Sequence, residues 1–171
     1  VHVTEPDQVA DIFENNKYLD VQFFFIQTTT SSEFEGGKIG KFFFGIEDYF
    51  KDIPTLPASE KMSVCRSIKS ELYNRAASFK RGNPDIFCYY VTTGVWQEPT
   101  HTVAIINAFK ERLQATNLLD QVRIEMIDAK GLQQLYRSTQ NALKAEISIP
   151  NVLTLPPIEG VDQSYLAYIS A

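Results

Sequence analysis

Two rhythms of hydrophobic and polar positions run along this chain. Val9, Ile12 and Phe13 recur at helical spacing, after Thr4 as a hydroxyl cap, Glu5 and Asp7 as first-turn acids, and Pro6 where no N–H is needed. Residues 19–28 form a nearly continuous apolar and aromatic run, which predicts a central strand buried on both faces. A polar turn over 28–37 ends in Gly36-Gly37. Ile39, Phe42, Phe43, Ile46, Tyr49 and Phe50 then return to helical spacing until Pro54 and Pro57. A second long helix is predicted over 59–79, burying Cys65, Ile68, Leu72, Ala76 and Phe79. Asn83-Pro84 marks a turn before a strand at Asp85–Thr92. Thr100 is placed as the cap of a helix carrying Val103, Ile106, Phe109 and Leu113. Val122–Ile127 reads as a strand, and Asp128 as the cap of a helix carrying Leu132, Leu135, Tyr136 and Leu143. Short strands are expected at 146–149 and 165–169, with Pro156-Pro157 in a loop between them. Strands alternating with helices give an α/β fold, a central mixed or mostly parallel sheet covered by helices, in one domain over residues 1–171.

Hydrophobic residues make up 44% of the chain and charged residues 22%, the balance of a packed globular protein. The formal charge of −5 does not draw nucleic acid to the chain as a whole, so any such contact needs a local basic patch. Cys65 and Cys88 are too few for a disulfide framework or a thiolate metal site. Two reduced core thiols in a cytoplasmic protein are the simpler reading, and a single bridge between them is the other. His2 and His101 alone cannot build a multi-histidine zinc centre. No apolar run approaches the roughly 18 to 20 residues that span a bilayer, and neither a signal peptide nor a membrane partner is expected. A start at Val1 and a stop after Ser170-Ala171 lead to the expectation of a longer protein whose remainder is a partner of this part.

Several ordered segments carry a family resemblance. They are residues 19–31, Leu-Asp-Val-Gln-Phe-Phe-Phe-Ile-Gln-Thr-Thr-Thr-Ser, then Gly37-Lys38-Ile39-Gly40-Lys41-Phe42-Phe43 and Glu47-Asp48-Tyr49-Phe50. Lys80-Arg81-Gly82-Asn83-Pro84, Tyr89-Tyr90-Val91-Thr92-Thr93-Gly94, Leu135-Tyr136-Arg137, Gly160-Val161 and Tyr165 continue the series. The set resembles the amino-terminal region of the abortive-infection phage-resistance (AIPR) family. The resemblance implies a restriction-endonuclease-like domain of the PD-(D/E)xK type in a bacterial antiviral defence protein. In such domains a strand presents an acid or glutamine, one intervening residue, then a lysine, and an acid from a preceding hairpin completes a Mg²⁺ site. The family's glutamine–any–lysine–threonine–serine pattern falls on Gln27-Thr28-Thr29-Thr30-Ser31, so Gln27 is the implied metal ligand and Thr29 stands where lysine is expected. Threonine brings no positive charge to a phosphate. The glycine-rich stretch that should hold the first acid does not occur in these residues. The expectation is metal-dependent phosphodiester hydrolysis when intact, and no activity in this chain alone.

Each candidate has a plainer reading. The Gln27 amide could simply bond a turn. Asp20 begins the same strand more than about 20 Å away and reads as a solvated strand-end charge. Lys38 and Lys41, at the start of the next helix, could replace the missing lysine, although solvated helix-face lysines are commoner. Glu33 and Glu35 could donate metal-ligand oxygens or merely solvate their loop. Arg66, Lys69, Tyr73 and Lys80 fall within about 60° of arc on the predicted long helix. With Arg81 they could contact the backbone of DNA or RNA, or form an ordinary charged face. Trp96 could stack on a base, but a lone tryptophan after a strand more often covers a core. Beside the nuclease stand two alternatives: a catalytically dead nucleic-acid-binding or assembly module, and a scaffold that forms a homodimer through its aromatic surface.

Overall fold

The computed structural model describes residues 6–140, 151–154 and 165–168. The chain divides into two compact units, Val1–Tyr136 and Arg137–Ala171. The first begins with α1 (Pro6–Asn15), followed by β1 (Gln22–Thr29), α2 (Gly36–Phe50), α3 (Glu60–Asn74), β2 (Asp85–Thr92), α4 (Thr100–Gln114), β3 (Val122–Ile127) and α5 (Ala129–Gln140), which runs on into the second unit. A strand pair absent from the sequence reading at its first member, β4 (Asn151–Thr154) antiparallel to β5 (Tyr165–Tyr168), belongs to the second unit. The expected Thr4 cap, the strand at 146–149, Leu143 and the Pro156-Pro157 loop lie outside the described residues.

The three strands of the first unit form a wholly parallel sheet in the order β1-β2-β3. Among the described residues β1 is therefore an edge strand, and the expectation that its run is central is corrected: β2 holds the centre. Period two decides the rest. Phe23 and Phe25 share register with Ile86 and Cys88, and Ile86, Cys88, Tyr90 and Thr92 are all buried. On this face Phe23 packs edge-on to Phe50 at 5.4 Å, and Phe25 to Tyr49 at 5.3 Å. On the other face Phe24 is 57% and Ile26 64% exposed, stacked only with neighbours such as Phe87. A nearly continuous apolar run reads as doubly buried, yet among the described residues only one of its faces is covered by helices.

The covered face is built as the periodicity of α2 predicts. Ile39, Phe43, Ile46, Tyr49 and Phe50 are buried, and the Phe43 ring stacks on Phe109 of α4 at 4.1 Å. Burial of each such ring contributes roughly 1.5–3 kcal/mol before entropy is subtracted. Ser59 caps α3, accepting from the Met62 N–H at 3.3 Å, as its place before the helix suggests. The predicted helix over 59–79 stops early, at Asn74. The Leu19 N–H donates to Ser78 O and the Lys80 N–H to Leu19 O, so residues 78–80 are drawn into a strand-like bridge instead. In this region Leu72 is buried, Ala76 is exposed, and Cys65 is exposed rather than a core thiol; Cys88 is the buried one, and both are free. Thr100 is also not a cap: Pro99 takes that position and Thr100 opens α4. Asp128 does cap α5, its carboxylate accepting from the Gly131 N–H at 2.7 Å.

Candidate functional site

Because the strands are parallel, β1, β2 and β3 all end at one edge, and the helices that follow begin there. In open α/β sheets ligands reach this carboxyl edge. Here Thr and Ser side chains stitch its loops together. Thr92 Oγ1 donates a short hydrogen bond to Ser31 O, and Thr93 Oγ1 donates to Thr30 O and Ser31 O, each at 3.1 Å. Gly94 is buried against the same loop: a Cβ there would overlap the Ser32 carbonyl, whose carbon would lie 2.6 Å away. Gly94→Ala should thus displace the β1–α2 loop and cost about 1–3 kcal/mol, as overpacking does. An unchanged urea midpoint would contradict this packing.

Gln27 and Thr29 pair in register with the buried Tyr90 and Thr92, so the two lie on the helix-covered face, as residues two apart must. Thr29 Oγ1 accepts from the Ser31 N–H at 3.3 Å. Ser31 Oγ donates to Glu35 Oε1 at 3.0 Å, and Lys38 Nζ donates to the same oxygen at 2.6 Å. The chain of contacts thus runs from the end of β1 to the first turn of α2. The hydrogen bonds from Lys38 and then Ser31 hold the Glu35 carboxyl below its usual range, and Glu35 in turn raises the Lys38 ammonium. Tyr90 joins them from β2. Burial pushes its phenol up, against the pull of the Lys38 charge and with the repulsion of Glu35. Tyr90 was missed from sequence, although the alternation of Ile86, Cys88, Tyr90 and Thr92 marks its face.

Other candidates fall elsewhere. The Gln27 amide turns back, donating to Thr28 O at 3.0 Å, as its plainer reading expects. Lys41 is exposed one turn further along α2, outside the bonded cluster. Glu33 is exposed, its N–H on Ser31 Oγ at 3.3 Å. Trp96 packs edge-on to buried Phe34 at 4.8 Å, half-buried against the core.

The expected basic stripe dissolves into separate roles. Arg66 Nη2 donates to Asp48 Oδ2 at 3.3 Å, and the guanidinium reaches Leu56 O. Asp48 is fully buried and also accepts from Thr55 Oγ1, Thr55 N–H, Leu56 N–H and Lys51. Arg66 thus closes a structural network. Lys69 Nζ donates to Tyr49 O at 2.7 Å and lies over the Tyr49 ring. It lines an open cleft of about 260 Å³ with Asp52 and Tyr73, and burial lowers its pKa. Lys80 and Arg81 lie beyond the end of α3, before β2 begins, and Arg81 meets Asp20 at 3.4 Å. They therefore sit at the amino edge of the sheet, about 20 Å of strand away from Gln27 and Thr29.

Among the described residues no group of three His, Cys, Asp or Glu side chains could hold a metal ion. At the carboxyl edge the carboxylates are Glu35, engaged by Lys38 and Ser31, Asp128, engaged by the Gly131 and Trp96 N–H groups, and the exposed Glu33. They are not gathered into one group with the neutral Gln27 amide, and so the residues described do not fit Mg²⁺, which takes several hard oxygens at once. Also among the described residues, no helix is long and apolar enough to cross a membrane. Comparison of the chain with protein-family models, curated proteins and solved structures returns no match.

Proposed function

We propose that this chain is a restriction-endonuclease-like domain of the abortive-infection phage-resistance kind, directed at the phosphodiester backbone of DNA or RNA and unable by itself to complete hydrolysis. One observation supports the reading above others. Gln27 and Thr29 share one strand face at the end of β1, and hydrogen bonds run from Thr29 through Ser31 to the Glu35–Lys38 pair at the start of α2. A phosphate approaching this edge would compete with Glu35 for the Lys38 ammonium, and the Gln27 amide could donate to a phosphate oxygen. The lysine charge would thus come from the helix rather than from position 29. The donor set favours a second reading too, a binding module in which the same groups hold a backbone without cleaving it.

Incubation of this chain with DNA and with RNA in Mg²⁺ or Mn²⁺ should give no cleavage above a chelator control. Robust cleavage abolished by Gln27→Ala would overturn the inactive assignment and make Lys38 or Lys41 the charge donor. Binding of either nucleic acid that weakens with Lys38→Ala and with rising salt supports the site, and binding indifferent to both removes it.

A further inference from the structure

We propose that β1 is a self-association edge, pairing antiparallel about a two-fold axis with β1 of a second copy of this chain. The inference is independent of the phosphodiester reading. The strand, Gln-Phe-Phe-Phe-Ile-Gln-Thr-Thr, carries no charge and no proline over all 8 residues. Edge strands are ordinarily blunted by charges or proline, because their free N–H and C=O groups template pairing. The opposite edge follows that rule, with Arg123 and Glu125 on β3. Two copies of a chain of charge −5 repel over most of their surfaces. Along β1 no like charges meet, and the nearest acid, Asp20, is met by Arg81.

Register follows from the ladder. The Asp85 N–H donates to Val21 O, so odd-numbered residues of β1 turn their backbone groups toward β2. Gln22, Phe24, Ile26 and Thr28 therefore turn theirs outward. An antiparallel pairing centred on Phe25 sets Phe24 opposite Ile26 of the second copy and Gln22 opposite its Thr28. Every outward-turned residue then finds an outward-turned partner, with Thr28 O exchanging its exposed bond from the Gln27 amide for one from the second copy. A shift by one residue would oppose outward groups to inward ones and lose the bonds. The same register brings Phe24, 57% exposed, and Ile26, 64% exposed, beside their counterparts on one continuous open face. An edge of this length makes a small interface, with dissociation on the order of micromolar.

Light scattering of the intact chain should show mass rising from monomer toward dimer between about 5 and 200 µM. Phe24→Lys, on the exposed face, should hold it monomeric with an unchanged circular dichroism spectrum. In a Cys65→Ser background, spin labels on Thr28→Cys should report backbone positions about 20 Å apart, the separation this register demands. A chain monomeric throughout, a polydisperse aggregate, a dimer that survives Phe24→Lys, or labels beyond about 35 Å would each overturn the proposal. The label distance decides the register even if Phe24→Lys fails to fold.

Discussion

On the nuclease reading, Thr29→Lys in a protein that also carries the first acid should raise Mg²⁺- or Mn²⁺-supported cleavage of nucleic acid by about 10²–10³, the usual worth of one electrostatic donor at a developing charge. The geometry makes the substitution readable. Thr29 lies on the covered face at the last position of β1, two residues from Gln27 and half-buried. A lysine there can lay its stem along Thr92 and carry its ammonium out past the strand end toward Glu35. The gain should vanish when Gln27→Ala is added, because on this reading both side chains serve one phosphate. It requires the acid that the family resemblance places in a preceding hairpin. Were Thr29→Lys destabilised and inactive with that acid intact, lysine would be a buried unpaired charge. The nuclease assignment would then fall, and the binding or scaffold reading would stand.

Asp48→Asn should lower Tm by on the order of 10 °C, the largest stability effect expected of any single substitution here. Asp48 is fully buried and gathers donors from Lys51 just past the end of α2, from the loop at Thr55 and Leu56, and from Arg66 on α3. An amide in its place turns N–H toward N–H and leaves Arg66 without a counter-charge, its Nε already buried with no partner among the described residues. The pH dependence has a definite sign. The Thr55 hydroxyl first, then the Thr55 and Leu56 N–H groups and Lys51, outweigh burial and hold the Asp48 carboxyl far below its ordinary value of 3.8. A depressed folded-state pKa contributes stability that is complete above the ordinary value and is lost as pH falls toward the folded one. The Tm difference between wild type and Asp48→Asn should therefore be flat from about pH 8 to 5 and shrink below about 4. A Tm within about 2 °C of wild type, or a gap that persists undiminished to about pH 2, would show that the network does not hold the loop.

Local chemistry alone accounts for much of what this chain becomes. Helical spacing from Ile39 to Phe50 placed α2 and its buried face, and the apolar runs at 85–92 and 122–127 were legible as β2 and β3. Asp128 was legible as a cap because a carboxylate before a helix satisfies its free N–H groups whatever surrounds it. Strand parity likewise put Gln27 and Thr29 on one face. Tertiary structure decided the questions that depend on what lies across a face. Residues 19–28 look doubly buried, yet only their neighbours in space make β1 an edge with Phe24 and Ile26 in the open. Arg66 and Lys69 have the spacing of a charged stripe, but Asp48 and the Tyr49 carbonyl, some twenty residues away, take them up. Leu19 ends the predicted long helix by bonding residues 78 and 80. Tyr90 enters the candidate site only because β2 lies beside β1 in that register. Periodicity is a property of one segment, and it states which residues share a face. Which strand, carboxylate or carbonyl meets that face is set by contacts between distant segments, which no local pattern encodes.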